Sequence, residues 1–169
     1  HLLDECRRSV ADALGAKPEE LVFTSCGSES DNWALLGGAE AMKRTGRHII
    51  SSSVEHDAVR RSLDRLEGLG CTVTRLAPDS AGAITSESVL AALRPDTALI
   101  SLMMVNNETG AVTDIAGIAR AVRAAGCRAL IHTDAVQGFM KLPFRASKLG
   151  ADLISISGHK IHAVKGIGA

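Results

Sequence analysis

The feature that most constrains this chain is an alternation. Short runs of aliphatic and β-branched residues are followed, repeatedly, by stretches whose apolar residues recur at helical spacing. Cys6, Val10 and Ala13/Leu14 mark one face of a first helix that Gly15 can end. Residues 21–24 read as a short strand, and a helix from about 28 to 43 follows, with Ser28 as its N-cap and Gly46 beyond its end. Residues 48–52 form the next strand, and Val59, Leu63 and Leu66 are the stripe of the helix after it. Then come a strand at 71–76, a turn at Pro78-Asp79 and a helix carrying Val89, Leu90 and Leu93. Residues 97–103 are almost continuously apolar, as in a strand covered on both faces. Thr113 can cap a helix with Ile115, Ile118, Ala119 and Val122 on its inner side, closed by Gly126. Runs at 129–133 and 153–156 are two further buried-type strands. Such a pattern predicts a layered α/β domain with a mainly parallel sheet.

The chain has 169 residues, about one domain's worth. Nineteen basic residues balance nineteen acidic ones, which argues against a nucleic-acid partner bound through phosphate charge. Aromatics are 2%, too few for a base-stacking platform. No apolar run reaches the roughly 18 residues of a membrane span, so no membrane role is expected. Cys6, Cys26, Cys71 and Cys127 are irregularly spaced without a CxxC pair, and read as buried free thiols in a reducing cytoplasm. The chain opens at His1 without Met and closes on Gly-Ile-Gly-Ala. It reads as a segment of a longer protein, which leaves a targeting peptide open.

In parallel sheets ligands gather at the carboxyl ends of the strands. The unusual polar residues lie at those places: Thr24-Ser25-Cys26-Gly27-Ser28, Glu55-His56, Asn106-Asn107-Glu108, Asp134 with Gln137, and Ser157-Gly158-His159-Lys160. Gly27-Ser28 at a helix start suits a phosphate, or is a plain capped helix. Neither GxxxxGK[ST] nor a GxGxxG after a strand is present, which disfavours nucleotide binding of those kinds. Asp134 closes an apolar strand, and a buried carboxylate needs a partner. The partner is a metal shared with His132, a protonated ring nitrogen of a cofactor, or a structural cap or salt bridge. Lys160 is a solvated loop lysine or one that forms a Schiff base. His159 and His162 are three apart, but no carboxylate-rich set completes a zinc site. His56 is a core-edge histidine or a general acid/base.

Together the segments 23–32 (FTSCGSESDN), 54–56 (VEH), 106–110 (NNETG), 132–137 (HTDAVQ) and 157–166 (SGHKIHAVKG) resemble the NifS-like cysteine desulfurases, of the class V aminotransferase-like group of fold-type I enzymes. The match runs in order along essentially the whole chain. The resemblance implies a three-layer α/β/α large domain with a mainly parallel (mixed) sheet, binding pyridoxal 5′-phosphate (PLP). It implies that Lys160 carries the cofactor and that Asp134 pairs with its pyridinium nitrogen. Gln137 and Asn107 would lie around the ring's phenolic oxygen, with Asn107 also towards the substrate. Gly27, Ser28, Ser157 and His159 would hold the phosphate, Ser28 standing where the family often has Thr. His56 would stack on the ring and move protons.

The implied reaction takes L-cysteine to L-alanine and passes sulfur to an enzyme cysteine as a persulfide, supplying iron–sulfur cluster assembly through a scaffold or other acceptor. The family's nucleophilic cysteine lies on a loop well after the lysine, and none of the four cysteines here matches it. On this reading residues 1–169 are part of the large domain of a cytoplasmic homodimeric enzyme. The small C-terminal domain and the cysteine loop are then absent, and the segment alone is weakly active or inactive. Val164 stands where the family usually has Pro, which loosens the turn after the lysine. The alternatives are a selenocysteine lyase or other class V enzyme, a silent fragment acting as a binding piece, and a metal module using the six histidines.

Overall fold

A computed structural model describes all 169 residues. The helices are α1 (Leu2–Leu14), α2 (Gly27–Ala41), α3 (Asp57–Gly68), α4 (Ser86–Ala92), α5 (Ile115–Ala124) and α6 (Ala146–Leu149). The strands are β1 (His48–Ser52), β2 (Thr72–Leu76), β3 (Thr97–Ser101), β4 (Leu130–Asp134) and β5 (Leu153–Ser155). They form one parallel sheet in the order β2-β1-β3-β4-β5. Single 3-10 turns lie at Pro18–Glu20 and Gly158–Ile161.

Strand alternation assigns the two faces. Ile49 and Leu99 join Leu35 and Ala39 of α2 and Val59, Leu63 and Leu66 of α3 in one core. Their neighbours Ile50 and Ile100, with Ile131, face the other way and pack with Ile115, Ile118, Ala119 and Val122 of α5, Val89 of α4 and Leu149 of α6. Helices therefore cover both faces, which is why β1 and β3 are buried at every position.

Several local expectations need correction. Residues 21–24 are not a strand of the sheet; Thr24 makes an isolated antiparallel bridge to Gly168. On α1 the inner residues are Ala11 and Leu14, with Val10 half-buried, while Cys6 and Ala13 are exposed. Gly15 does end that helix, in the left-handed region at φ 75°. Asp114, not Thr113, caps α5, accepting from Gly117 N at 2.9 Å. Thr113 is buried and its hydroxyl accepts from Ile84 N instead. The cysteines are free, but Cys6 is exposed and the other three are half-buried, so none is a core thiol.

Gly46 precedes β1 where the chain passes the carbonyl of Asp96, and a Cβ there would stand 1.9 Å from that oxygen. Neither partner is a flexible side-chain end, so the backbone itself must move. Gly46→Ala is expected to cost about 3 kcal/mol, the upper end of overpacking effects. An unchanged denaturation midpoint would refute that close approach.

Candidate functional site

The parallel register brings the carboxyl ends of β1, β3, β4 and β5 to one edge, and the loops leaving them carry the residues singled out above. On the α2 side of the sheet that edge is unusually polar.

Helix α2 opens with Cys26 as N-cap and no capping side chain. The first backbone bond at its start runs from Ser30 N to Cys26 O, at 3.1 Å. The N–H groups of Gly27, Ser28 and Glu29 are therefore unspent. Ser28 is not the cap; it is the second helical residue, with an exposed side chain. Glu29 reaches back to Ser25 N at 2.6 Å and Ser25 Oγ at 2.7 Å, which fixes the loop before the helix. Those bonds, the backbone one first, hold the Glu29 carboxyl below its ordinary pKa.

A Cβ on Gly27 would lie 2.9 Å from Val136 Cγ2 and 3.1 Å from Ser157 Cβ. Only glycine lets the helix start settle between the loops after β4 and β5. Ser157 is 2% exposed, and its hydroxyl is hydrogen-bonded to His159 Nδ1 at 2.8 Å. Gly27 and Ser28 thus open an uncapped helix against Ser157 and His159. Free N–H groups, hydroxyls and the positive end of a 15-residue helix fit a phosphate.

Asp134 ends β4 and is 6% exposed. Its Oδ1 accepts from Val136 N at 2.9 Å, a local turn bond, and it forms no ion pair. Burial raises its pKa, while the Val136 N–H and the nearby His56 pull the other way. A buried carboxylate without a cationic partner fits a protonated ring nitrogen. The metal reading fails on geometry. His132 shares Asp134's face of β4, but its ring is already hydrogen-bonded to Ser101 Oγ and Ser155 Oγ, each at 2.9 Å. Burial drives His132 down to a pKa of about 3. No group of three His, Cys, Asp or Glu side chains is arranged to hold a metal ion.

His56 is exposed and caps α3, its Nδ1 accepting from Ala58 N at 3.2 Å. With the Nδ1 lone pair used, the neutral ring carries its proton on Nε2. Asn107 is exposed and makes no side-chain hydrogen bond. It rides on a turn built by Asn106, whose Oδ1 accepts from Glu108 N and Thr109 N and whose Nδ2 donates to Val54 O. Gln137 is engaged by the Lys141 ammonium, at 2.8 Å from its Oε1. Lys160 lies in the 3-10 turn after β5, exposed and without an ion pair. His162, which ends that turn, takes the left-handed conformation at φ 63°, and Val164 beyond it is exposed.

Two carboxylates of this edge have no role in the sequence reading: Glu55 is placed at a strand end without one, and Asp31 is not singled out. Glu55 is 5% exposed; its Oε1 accepts from Ser52 Oγ at 2.5 Å and Met103 N at 3.1 Å, tying the His56 loop to the end of β3. Asp31 is 1% exposed on the inner face of α2, in helical register with Gly27 and Leu35, and that spacing was the available signal. Burial first, with a contribution from the Asp134 charge, raises each to a pKa of about 8.

An acid whose folded pKa lies above its unfolded value keeps a proton that the unfolded chain has released. Its stabilising contribution is full below about pH 4 and is lost as pH rises towards 8. Glu55→Gln cannot ionise, so it should gain melting temperature relative to the parent between pH 4.5 and pH 8. A pH-independent difference between the two melting curves would refute this.

The aminotransferase class-V family model matches residues 1–169. The cysteine desulfurase IscS of Serratia proteamaculans is 48% identical over 167 residues, covering 99% of this chain and 41% of that protein. The IscS of Escherichia coli K12 matches to the same extent. This chain thus spans about two-fifths of the length of those relatives. Among solved structures, DndA from Streptomyces lividans is 46% identical with a TM-score of 0.88, covering 98% of this chain and 46% of that one. A NifS-like protein is 38% identical with a TM-score of 0.94, again covering 98% and 46%. SspA, solved in complex with cysteine, is 40% identical with a TM-score of 0.89, covering 98% and 47%. A five-stranded parallel sheet with an uncapped helix start, a buried aspartate and a free lysine at one edge is here joined to a family match over every residue: the chain belongs to the class-V aminotransferases.

Proposed function

We propose that this chain forms part of the cofactor-bearing domain of a PLP-dependent cysteine desulfurase. One observation carries the reading. Asp134, buried without a cation, and Lys160, without an ion pair, follow the neighbouring strands β4 and β5 to the edge where α2 presents its uncapped start. PLP has one group for each: a ring nitrogen, an aldehyde and a phosphate. Bound there, it supplies an electron sink for charge developing at the α-carbon of an amino acid.

The residues then divide the tasks. Asp134 accepts a hydrogen bond from the ring N–H. The N–H groups of Gly27 and Ser28, the hydroxyls of Ser28 and Ser157, and His159 take the phosphate. His56, its Nδ1 engaged by Ala58 N, would stack on the ring and leave its Nε2 proton available. Lys160 Nζ attaches the cofactor covalently and, when free, moves the substrate's α-proton. Asn107 and Gln137 serve the phenolic oxygen, Gln137 after giving up Lys141, and Asn107 also contacts the substrate.

The substrate is L-cysteine. Its C–S bond breaks as an S–S bond forms to an acceptor thiol, leaving L-alanine and a persulfide. Cys71 and Cys127 precede β2 and β4 at the opposite edge, and Cys6 is on α1. Cys26 is the N-cap of α2, held in the loop proposed to take the phosphate, while the family resemblance puts the acceptor on a loop after the lysine. The reading therefore takes the acceptor cysteine from outside these 169 residues, along with a small C-terminal domain, in a cytoplasmic homodimer that feeds an iron–sulfur scaffold or another sulfur acceptor. The desulfurase names of the relatives and the cysteine-bound neighbour support it.

The test is to supply L-cysteine and a reductant to the full-length parent with PLP. One L-alanine per sulfide released is expected. Turnover of L-selenocysteine with none of L-cysteine would point to the sister lyase, and no alanine from either would overturn the proposal.

A further inference from the structure

The site described above leaves Asp31 without a task, although it is the most deeply buried acid of the chain. Below α2 a row of polar side chains crosses four neighbouring strands on one face. Ser51 Oγ on β1 donates to Ser101 O on β3 at 2.8 Å. Ser101 Oγ meets His132 Nδ1 on β4, and His132 Nε2 meets Ser155 Oγ on β5, each at 2.9 Å. The row ends at Asp31. Its Oδ1, buried with no hydrogen-bond partner, stands 3.7 Å from His132 Nε2, the ring atom bonded to Ser155 Oγ. Ser155 is also the strand partner of Asp134.

We infer that Asp31 is a positioning residue: buried at the end of the Ser101–His132–Ser155 row, it sets the tautomer of His132 and steadies the strand pair that carries Asp134. The inference rests on the proposed cofactor site only for the purpose that Asp134 serves.

The proton count has two forms. With Asp31 neutral, its O–H donates to Ser155, Ser155 donates to His132 Nε2, and the ring proton sits on Nδ1. When Asp31 loses its proton, each hydroxyl turns round: Ser155 donates to the carboxylate, the ring proton sits on Nε2, and Ser101 donates to Nδ1. His132 stays uncharged throughout, since burial keeps it from protonating. The charges facing Asp31 are Asp134 from β4, Glu55 from the loop after β1 and Cys26 from the start of its own helix, and all three oppose its ionisation. No cation faces it, so the neutral form is held to about pH 8.

The experiment compares the full-length parent with Asp31→Asn and Asp31→Leu. Histidine ring nitrogens are followed by 15N NMR in the cofactor-free protein from pH 6.5 to 9.5. The parent should show one neutral ring that exchanges Nδ1–H for Nε2–H in that range, and Asp31→Asn should not. His48 is the other buried ring, bonded to Thr97 and Thr74 hydroxyls, and is not expected to change. No exchange in the parent, or the same exchange in Asp31→Asn, overturns the inference.

PLP affinity is measured at pH 7.5 on the same proteins. Asp31→Asn should stay within about threefold of the parent, and Asp31→Leu should weaken at least tenfold while still unfolding cooperatively. A residue that only fills space would leave both variants equal, and that result would also overturn the inference. If Asp31→Leu does not fold, the nitrogen titration decides alone. A parent that binds no PLP would defeat the cofactor reading while leaving the tautomer result standing.

Discussion

Lys160→Ala is expected to remove covalent cofactor attachment altogether and to cut turnover of the full-length parent by at least about 10³-fold, the scale of losing a positioned proton-transfer group. Borohydride treatment of the PLP-loaded parent should fix the cofactor on the peptide containing Lys160, and treatment of the variant should fix none. The case rests on position. Lys160 is held by a 3-10 turn one residue past Ser157-Gly158-His159, and its side chain makes no ion pair. Lys165 is five residues further on and Lys141 is committed to Gln137. A label on either would mean that the turn after β5 does not present the reactive amine. Folding is not expected to suffer, because an exposed side chain without partners contributes within about 0.5 kcal/mol. An unchanged denaturation midpoint together with lost attachment is the expected pair, and retained turnover in the variant would refute the role.

The sheet and its carboxyl edge were legible in the sequence because their signals are local. The run at 97–103 is almost continuously apolar, as a strand covered on both faces tends to be, and at 48–52 the pair Ile49-Ile50 supplies one apolar residue to each face. Residues placed by distant parts of the chain were less legible. Residues 21–24 carry strand-like side chains, yet their backbone partner is Gly168, far along the sequence. Thr113 and Asp114 are both good caps, and the choice fell to Asp114 because Thr113 was drawn inward by Ile84 N. On α1 the buried face turned by one residue, since Leu14 and Ala11 meet the core while Cys6 faces out. The candidate site followed the same rule. His56, Asp134 and Lys160 could be picked out by their places after strands. Asp31 was harder to see, because only its spacing from Gly27 and Leu35 on α2 marks it as inward, and it takes its meaning from His132 and Ser155, on strands more than a hundred residues away.

Asp134→Asn should separate stability from function. Folding keeps this carboxyl from water without giving it a cation, so its pKa rises on folding. The sign follows from proton counting: the folded chain holds a proton that the unfolded chain has lost, and stability drains away as pH climbs above the unfolded value near 3.9. Asparagine has no charge to bury. Without cofactor, the variant should therefore match the parent near pH 4 and melt higher than the parent at pH 7.5. The cofactor-loaded protein should show the reverse order. A protonated ring nitrogen supplies the cation that the fold omits, and a hydrogen bond to a charged partner is worth about 1.5–3 kcal/mol. Its loss should weaken PLP binding by roughly 10- to 100-fold, with turnover falling alongside because the ring no longer keeps its proton. The crossing of the two orders is the signature. A variant less stable than the parent at every pH would mark Asp134 as a structural cap for Val136 N, and a variant that binds PLP as tightly as the parent would remove Asp134 from the ring.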